Sequence, residues 1–246
     1  MPLTVGSPRI GEEPLERAGC GGRLDMEDPD DDAPHLASLA AMTGRSTVRA
    51  YVGLGANLGD AAATLAAAVS ALDGLDGVHV RGVSRLYVTK PWGVLDQPPF
   101  HNAAVAFDAP AGDDPASGAS DLLVTLKALE RSAGRQTGAR WGPRELDLDL
   151  LVFGRARLSI ERPPGGRSAD PAKAGLHLTV PHSEAANRLF VLAPLADLAP
   201  GLVPPGWGCS VETARRRQAK LEGPAAIRVV GEWDAARRRW RAPKGS

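Results

Sequence analysis

The chain has 246 residues, 43% hydrophobic and 24% charged, with 29 basic and 29 acidic side chains. A zero formal charge argues against a general nucleic-acid binder, and no apolar run approaches the ~20 residues of a membrane span. The two cysteines, Cys20 and Cys209, are too few and too far apart for a disulfide framework or a metal spacing, and no basic-then-apolar leader is present, so a cytoplasmic protein is expected.

Residues 1–47 carry nine acidic and four basic side chains, including the run Glu27 to Asp32, and show no helical or strand period. They read as a disordered acidic tail, with Met42 an alternative start. The rest of the chain is then near +5, which suits a polyanionic ligand.

Val48 to Leu54 alternates as a strand, and Gly53, Gly55 and Gly59 break it. Asp60 can cap a helix carrying Leu65, Val69 and Leu72. Val78 to Val88 and Ala103 to Phe107 read as strands, separated by the Pro- and Gly-rich loop Thr89 to Phe100. That loop is longer than a tight turn requires. Leu122, Leu123, Leu126 and Leu129 mark a second helix, capped by Ser120 and ending near Gly134. A strand follows at Leu146 to Phe153, and then a Pro/Gly-rich insertion over 155–177. Short helices are expected at Ser183–Leu192 and Val211–Leu221, with a late strand at Ile227–Val230. A domain over 48–233 with a basic tail at 234–246 is the expected organisation. The order strand, helix, two strands, helix, strand predicts an α+β fold, a ferredoxin-like sandwich of antiparallel sheet and packed helices.

The chemistry concentrates in Arg140 to Phe153. Alternation on a strand sends Asp147 and Asp149 to one face and Leu146, Leu148 and Leu150 to the other. Magnesium usually takes one or two carboxylates and completes its shell with water and substrate phosphates. A solvated outer face would also explain the pair, although aspartate is depleted in strands. Upstream, Arg131, Arg135, Arg140 and Arg144 are spaced by glycines. Guanidinium forks match phosphate oxygens, so cations beside carboxylates suit phosphoryl-type transfer. The Gly53 to Asp60 stretch is neither a Walker loop nor a dinucleotide fingerprint, and a tight strand-to-helix turn fits it better. Thr89, Trp92, Phe100 and Asn102 mix aromatic faces with amide and hydroxyl groups, which suits a flat heterocycle. Read as residues alone, Phe100 and Trp92 are equally ordinary core residues. A lone histidine such as His182 is usually structural or at the surface, while its companions Thr179 and Arg188 allow a second set of phosphate donors.

In this order the segments resemble the hydroxymethyl-dihydropterin pyrophosphokinase family. The matching pieces are Tyr51 to Asp60, Ser84 to Thr89, Asp96-Gln-Pro98, Phe100 to Ala104, Arg140 to Phe153, Leu178 to His182 and Asn187 to Phe190. They span about Val48 to Leu202. The resemblance implies transfer of pyrophosphate from ATP to the hydroxymethyl group of 6-hydroxymethyl-dihydropterin, a step toward folate that yields AMP. It implies two magnesium ions at Asp147 and Asp149. Arg135 and Arg144 would stabilise the transferring group, with Trp141 helping to close the site. Lys127, Glu130, Arg140, Leu150, Thr179, His182 and Arg188 would line the ATP site. Thr89, Trp92, Phe100, Asn102 and Phe190 would form the pterin pocket. Thr137, Gly138, His177 and Ser183 depart from the family pattern. No nucleic-acid or membrane partner is expected, and a monomer is. Two rivals are a metal-dependent phosphohydrolase and a binding module without catalysis.

Overall fold

The computed structural model describes residues 46–90, 96–134, 144–167 and 175–243, all within the unit Gly44–Ser246. Residues 1–45 of the expected tail, Trp92, Arg135, Thr137, Gly138, Arg140 and Trp141 lie outside the described residues, and the tail's last expected residue, Thr47, already belongs to the first strand.

Strand β1 (Thr47–Ala56) sends Ala50, Val52, Leu54 and Ala56 to one face and Tyr51, Gly53 and Gly55 to the other. Helix α1 (Ala61–Asp73) covers the first face with Leu65, Val69 and Leu72 at helical spacing. Asp60 caps it, its Oδ1 accepting the Ala63 N–H at 3.0 Å. Strand β2 (His79–Val83) and strand β3 (Leu86–Thr89) both pair with β4 (Phe100–Pro110). The single strand expected over Val78 to Val88 is therefore interrupted. Val83 pairs with Val105 and Tyr87 with Asn102, so four steps on one side face three on the other. Ser84 fills the irregularity: its Oγ accepts the Ala104 N–H at 2.8 Å and donates to Arg85 O at 2.7 Å. A bulge of this kind absorbs one extra residue and bends the strand.

Helix α2 (Pro115–Ser132) starts earlier than its leucines suggest. Asp114, not Ser120, is the cap, accepting the Ala116 and Ser117 N–H groups, and Pro115 sits in the first turn. Strand β5 (Asp147–Phe153) pairs with β1. The 155–177 region is not loop throughout, because β6 (Leu158–Glu161) pairs with β7 (His177–Val180). Helix α3 (Leu189–Leu198) runs past the expected Leu192, and only the short turn Ala185–Asn187 precedes it. Helix α4 (Val211–Glu222) matches expectation, and β8 (Ile227–Asp234) continues beyond Val230. Residues expected in a basic tail form β9 (Arg239–Arg241), paired with β8. Trp240 there donates its indole N–H to Ser84 O at 2.9 Å, which ties this end to the bulge.

The sheet order is β5-β1-β4-β3-β8-β9, with β2 also on β4 and every pairing antiparallel. Taking β2 and β3 as one interrupted strand, the first four positions give the ferredoxin-like order fourth, first, third, second. The main core lies between this sheet and α1 and α2, around Phe107, Phe153, Leu126 and Leu148. Burying side chains of that size stabilises by about 1.5–3 kcal/mol each. On the opposite face α3 and α4 cover Tyr51, Ala106, Leu151 and Val152. The continuation of that face, at Gly53, Gly55, Asn102, Asp147 and Asp149, carries the polar groups.

Candidate active site

Asp147 and Asp149 alternate with the buried Leu146, Leu148 and Leu150 and are themselves half-buried, as strand alternation requires. In register, Asp147 stands opposite Gly55 and Asp149 opposite Gly53. Gly55 also faces Asn102 on β4. The three adjacent strands thus present Asp147, Gly55 and Asn102 in one row. A Cβ placed on Gly55 would lie 3.7 Å from Asn102 Oδ1 and 3.9 Å from Asp147 Cβ. The absent side chain leaves the space between carboxylate and amide open.

Asn102 is buried, and its Nδ2 donates to Thr89 Oγ1 at 3.1 Å and to Phe100 O at 3.4 Å. The β3–β4 register sets Thr89 opposite Phe100, so three of the residues expected to hold a heterocycle converge. Phe190, at the start of α3, is half-buried with the Arg188 guanidinium 5.9 Å from its ring centroid. That arrangement is a cation–π contact. Arg188 also faces Glu184 at 3.6 Å.

Arg144 pairs with Asp147 through Nη1 and Oδ2, both side chains being about four-fifths buried at 20% and 23% exposure. A guanidinium thus stands beside the first carboxylate, the juxtaposition of cation and acid that the sequence order suggests. Arg135, Arg140, Trp141 and Trp92, expected in the same centre, are outside the described residues.

Lys127 and Glu130 are placed differently from a nucleotide-facing pair. Both are buried, and Lys127 Nζ donates to Glu130 Oε1 at 2.6 Å and to Leu148 O at 3.2 Å. Glu130 Oε1 also accepts the Leu148 N–H at 2.7 Å. Strand β5 is the sheet edge, so the helix side chains satisfy backbone groups that a further strand would otherwise take. Further along β5 its register shifts by one residue, and His182 N–H donates to Leu151 O at 2.9 Å. His182 Nδ1 accepts the Glu184 N–H at 3.3 Å. Thr179 Oγ1 lies 3.4 Å from Ser159 Oγ across the β6–β7 pair, and Leu150 packs in the main core. His177 and Ser183, the positions that depart from the family pattern, are exposed.

Asn57 was not singled out in the sequence beyond its place in the glycine-rich turn. It is 3% exposed, and its Oδ1 accepts the Arg144 N–H at 2.7 Å. Its position right after a strand that ends in Gly-Ala was the available signal. A separate cavity of about 470 Å³ is lined by Arg85, Tyr87, Asp197, Glu212 and Arg215 with apolar residues of α3, α4 and β8. Burial pushes the Tyr87 hydroxyl well above the ordinary tyrosine range, and Asp197 beside it acts in the same direction.

Among the described residues no group of three or more His, Cys, Asp or Glu side chains could hold a metal ion. Two carboxylates without a third ligand cannot enclose a cation alone. They fit a magnesium ion whose shell is completed by water and nucleotide phosphates.

Comparison with known proteins decides the assignment. The model of the 7,8-dihydro-6-hydroxymethylpterin-pyrophosphokinase family matches residues 51–200. The Methylorubrum extorquens 2-amino-4-hydroxy-6-hydroxymethyldihydropteridine pyrophosphokinase is 41% identical over 185 residues, covering 74% of this chain and 98% of that one. The chain belongs to the 7,8-dihydro-6-hydroxymethylpterin-pyrophosphokinase family. The pyrophosphokinase of Pseudomonas aeruginosa is 40% identical over 154 residues, 63% of this chain and 82% of that protein. Among solved structures, wild-type Plasmodium falciparum HPPK-DHPS with pterin and p-hydroxybenzoate aligns with a TM-score of 0.61 at 14% identity. It covers 85% of this chain, which spans about half of that one (50%), and the likeness supports the fold alone. As a pyrophosphokinase of this family, the protein transfers the pyrophosphoryl group of ATP to hydroxymethyldihydropterin, in folate biosynthesis. No helix among the described residues is long and apolar enough to cross a membrane.

Proposed function

We propose that the Asp147–Asp149 face is where the pyrophosphoryl group changes hands, with the two carboxylates holding a pair of magnesium ions. The observation carrying this reading is the row Asp147, Gly55, Asn102, which sets a metal-type carboxylate beside a heterocycle-type amide across an open glycine. Held there by Asp147 and Asp149, magnesium would offset phosphate charge and lower the pKa of the attacking hydroxyl.

The residues divide the remaining work. Asn102 and Thr89 orient the pterin through their amide and hydroxyl, Phe100 and Phe190 stack on its ring, and Trp92 contributes to pterin binding. Arg144 meets charge on the transferring group, joined by Arg135, and Trp141 helps to exclude water. Arg140, Thr179, His182 and Arg188 bind the nucleotide. Lys127 and Glu130 serve that site from below by fixing the β5 backbone, and Leu150 by anchoring it in the core. The substrate's hydroxymethyl oxygen bonds to the β-phosphorus as the bond to the α,β-bridging oxygen breaks, releasing AMP. The hydroxyl proton passes to solvent without an indispensable side-chain base. Two dispersed cysteines favour a reducing, cytoplasmic setting.

Magnesium titration of Asp147→Asn and Asp149→Asn tests the metal assignment. Each variant should need a markedly higher magnesium concentration for half-maximal rate. An unchanged magnesium requirement in both would remove the carboxylates from that role.

A further inference from the structure

We infer that Asn57 is a positioning residue that ties the pterin side of the site to the arginine and metal side. The inference rests on the reaction assigned above and goes beyond it in naming a residue whose side chain bonds to the protein's own Arg144, Gln97 and Pro98.

Asn57 directly follows β1 and is buried at 3% exposure. Toward β5 it holds both backbone groups of Arg144: its own N–H donates to Arg144 O at 3.0 Å, and its Oδ1 accepts the Arg144 N–H at 2.7 Å. Toward the acceptor side, Nδ2 donates to Gln97 Oε1 at 3.0 Å and to Pro98 O at 3.1 Å. The orientation of the amide is dictated by its neighbours. A backbone N–H can only donate, so Oδ1 must face Arg144. A carbonyl can only accept, so Nδ2 must face Pro98.

One side chain thus joins two chain segments about 40 residues and 87 residues away in sequence. Three residues beyond Arg144 lies Asp147, its ion-pair partner. Two residues beyond Pro98 lies Phe100, whose carbonyl accepts from Asn102. The tether therefore sets the spacing between the group that receives pyrophosphate and the groups that stabilise it. Buried amides with all their bonds made fix geometry in this way, and losing one partner leaves the other unsatisfied. Reacting atoms must be held close and aligned, and a displacement near 1 Å costs about a hundredfold in rate.

The test uses the full chain with ATP, magnesium and 6-hydroxymethyl-dihydropterin, in wild type, Asn57→Ala, Gln97→Leu and the double variant. Asn57→Ala should lower kcat by about ten- to a hundredfold. Dissociation constants for α,β-methylene-ATP with magnesium, and for pterin alone, should change by less than about threefold. Gln97→Leu, which leaves the bond to Pro98, should lower kcat less. The double variant should lose less than the product of the two single losses, because both act through one tether. A general packing defect would instead lower thermal stability and both affinities together. Asn57→Ala with kcat within about threefold of wild type, or fully multiplicative losses, would overturn the inference while leaving the reaction intact. Wild-type protein that formed no AMP with pterin would overturn the reaction reading and this role with it.

Discussion

Glu130 Oε1 accepts the backbone N–H of Leu148, the residue that separates Asp147 from Asp149, at 2.7 Å. Lys127, whose ammonium pairs with Glu130, takes the Leu148 carbonyl from the same helix. The exposed edge of β5 is thereby closed on the residue between the two carboxylates, and the backbone that carries them cannot slide.

This closure makes the pair strongly asymmetric to mutation. Lys127→Met removes the ammonium that pairs with the buried Glu130 carboxylate, and breaking a buried pair from one side costs about 3–5 kcal/mol, whereas replacing both charges together is far milder. Urea unfolding of Lys127→Met against Lys127→Met/Glu130→Gln checks this. Equal losses in the single and double variants would mean that the pair is not a coupled buried unit.

Arg144→Ala should lower kcat by about 10²–10³, as for the loss of one transition-state donor. The ATP KM should change much less. A rise in KM with kcat unchanged would make Arg144 a ground-state binding group instead.

Gly55 supplies a graded steric test. A methyl at that position would meet Asn102 and Asp147 only at ordinary van der Waals distance, so Gly55→Ala should keep fold and most activity. Gly55→Leu should still fold, yet lose most turnover by filling the space between carboxylate and amide. Full activity in Gly55→Leu would place the reacting groups elsewhere.

Acid sensitivity follows from the ion pairs. Arg215, and then Arg216, hold the Glu212 carboxyl down at about 2, and Arg49 and Arg81 hold Asp108 below the usual range. Burial also lowers the His101 imidazole, whose Nδ1 has no hydrogen-bond partner. All three have folded values below their unfolded ones, so each contributes stability at high pH that is lost on acidification. The loss should begin near pH 6.5 through His101 and steepen below about pH 4.5 through the carboxylates. Thermal melts from pH 7 to pH 3 would trace it. His101→Gln should remove the earlier part, and Glu212→Gln should soften the later part. Both groups are solvent-accessible enough that screening keeps each contribution modest.

The four strands that form the ferredoxin-like core, and the two aspartates on one face of β5, were legible because alternation is a local property of sequence. So was the Asp60 cap. The bulge at Ser84 was not, since an extra residue in a strand is visible only against the partner's register. The roles of Lys127 and Glu130 were hidden for a different reason. A lysine and a glutamate three apart on a helix read as a solvated pair or as ligand contacts, and only the unpaired edge of β5 makes them backbone partners. Asp114 was missed as a cap because the small residues from Pro115 to Ser120 give no hydrophobic period. Strand β9 was missed because three residues with two arginines look like a tail, until Trp240 is seen packed edge-on against Trp233.

The most direct measurement is product analysis of the purified protein with ATP, magnesium and 6-hydroxymethyl-dihydropterin, alongside Asp147→Ala/Asp149→Ala. AMP and pyrophosphorylated pterin, formed together by the intact protein only and only when pterin is present, are the predicted result. ADP as the nucleotide product, or phosphate released without pterin, would contradict pyrophosphoryl transfer at this site.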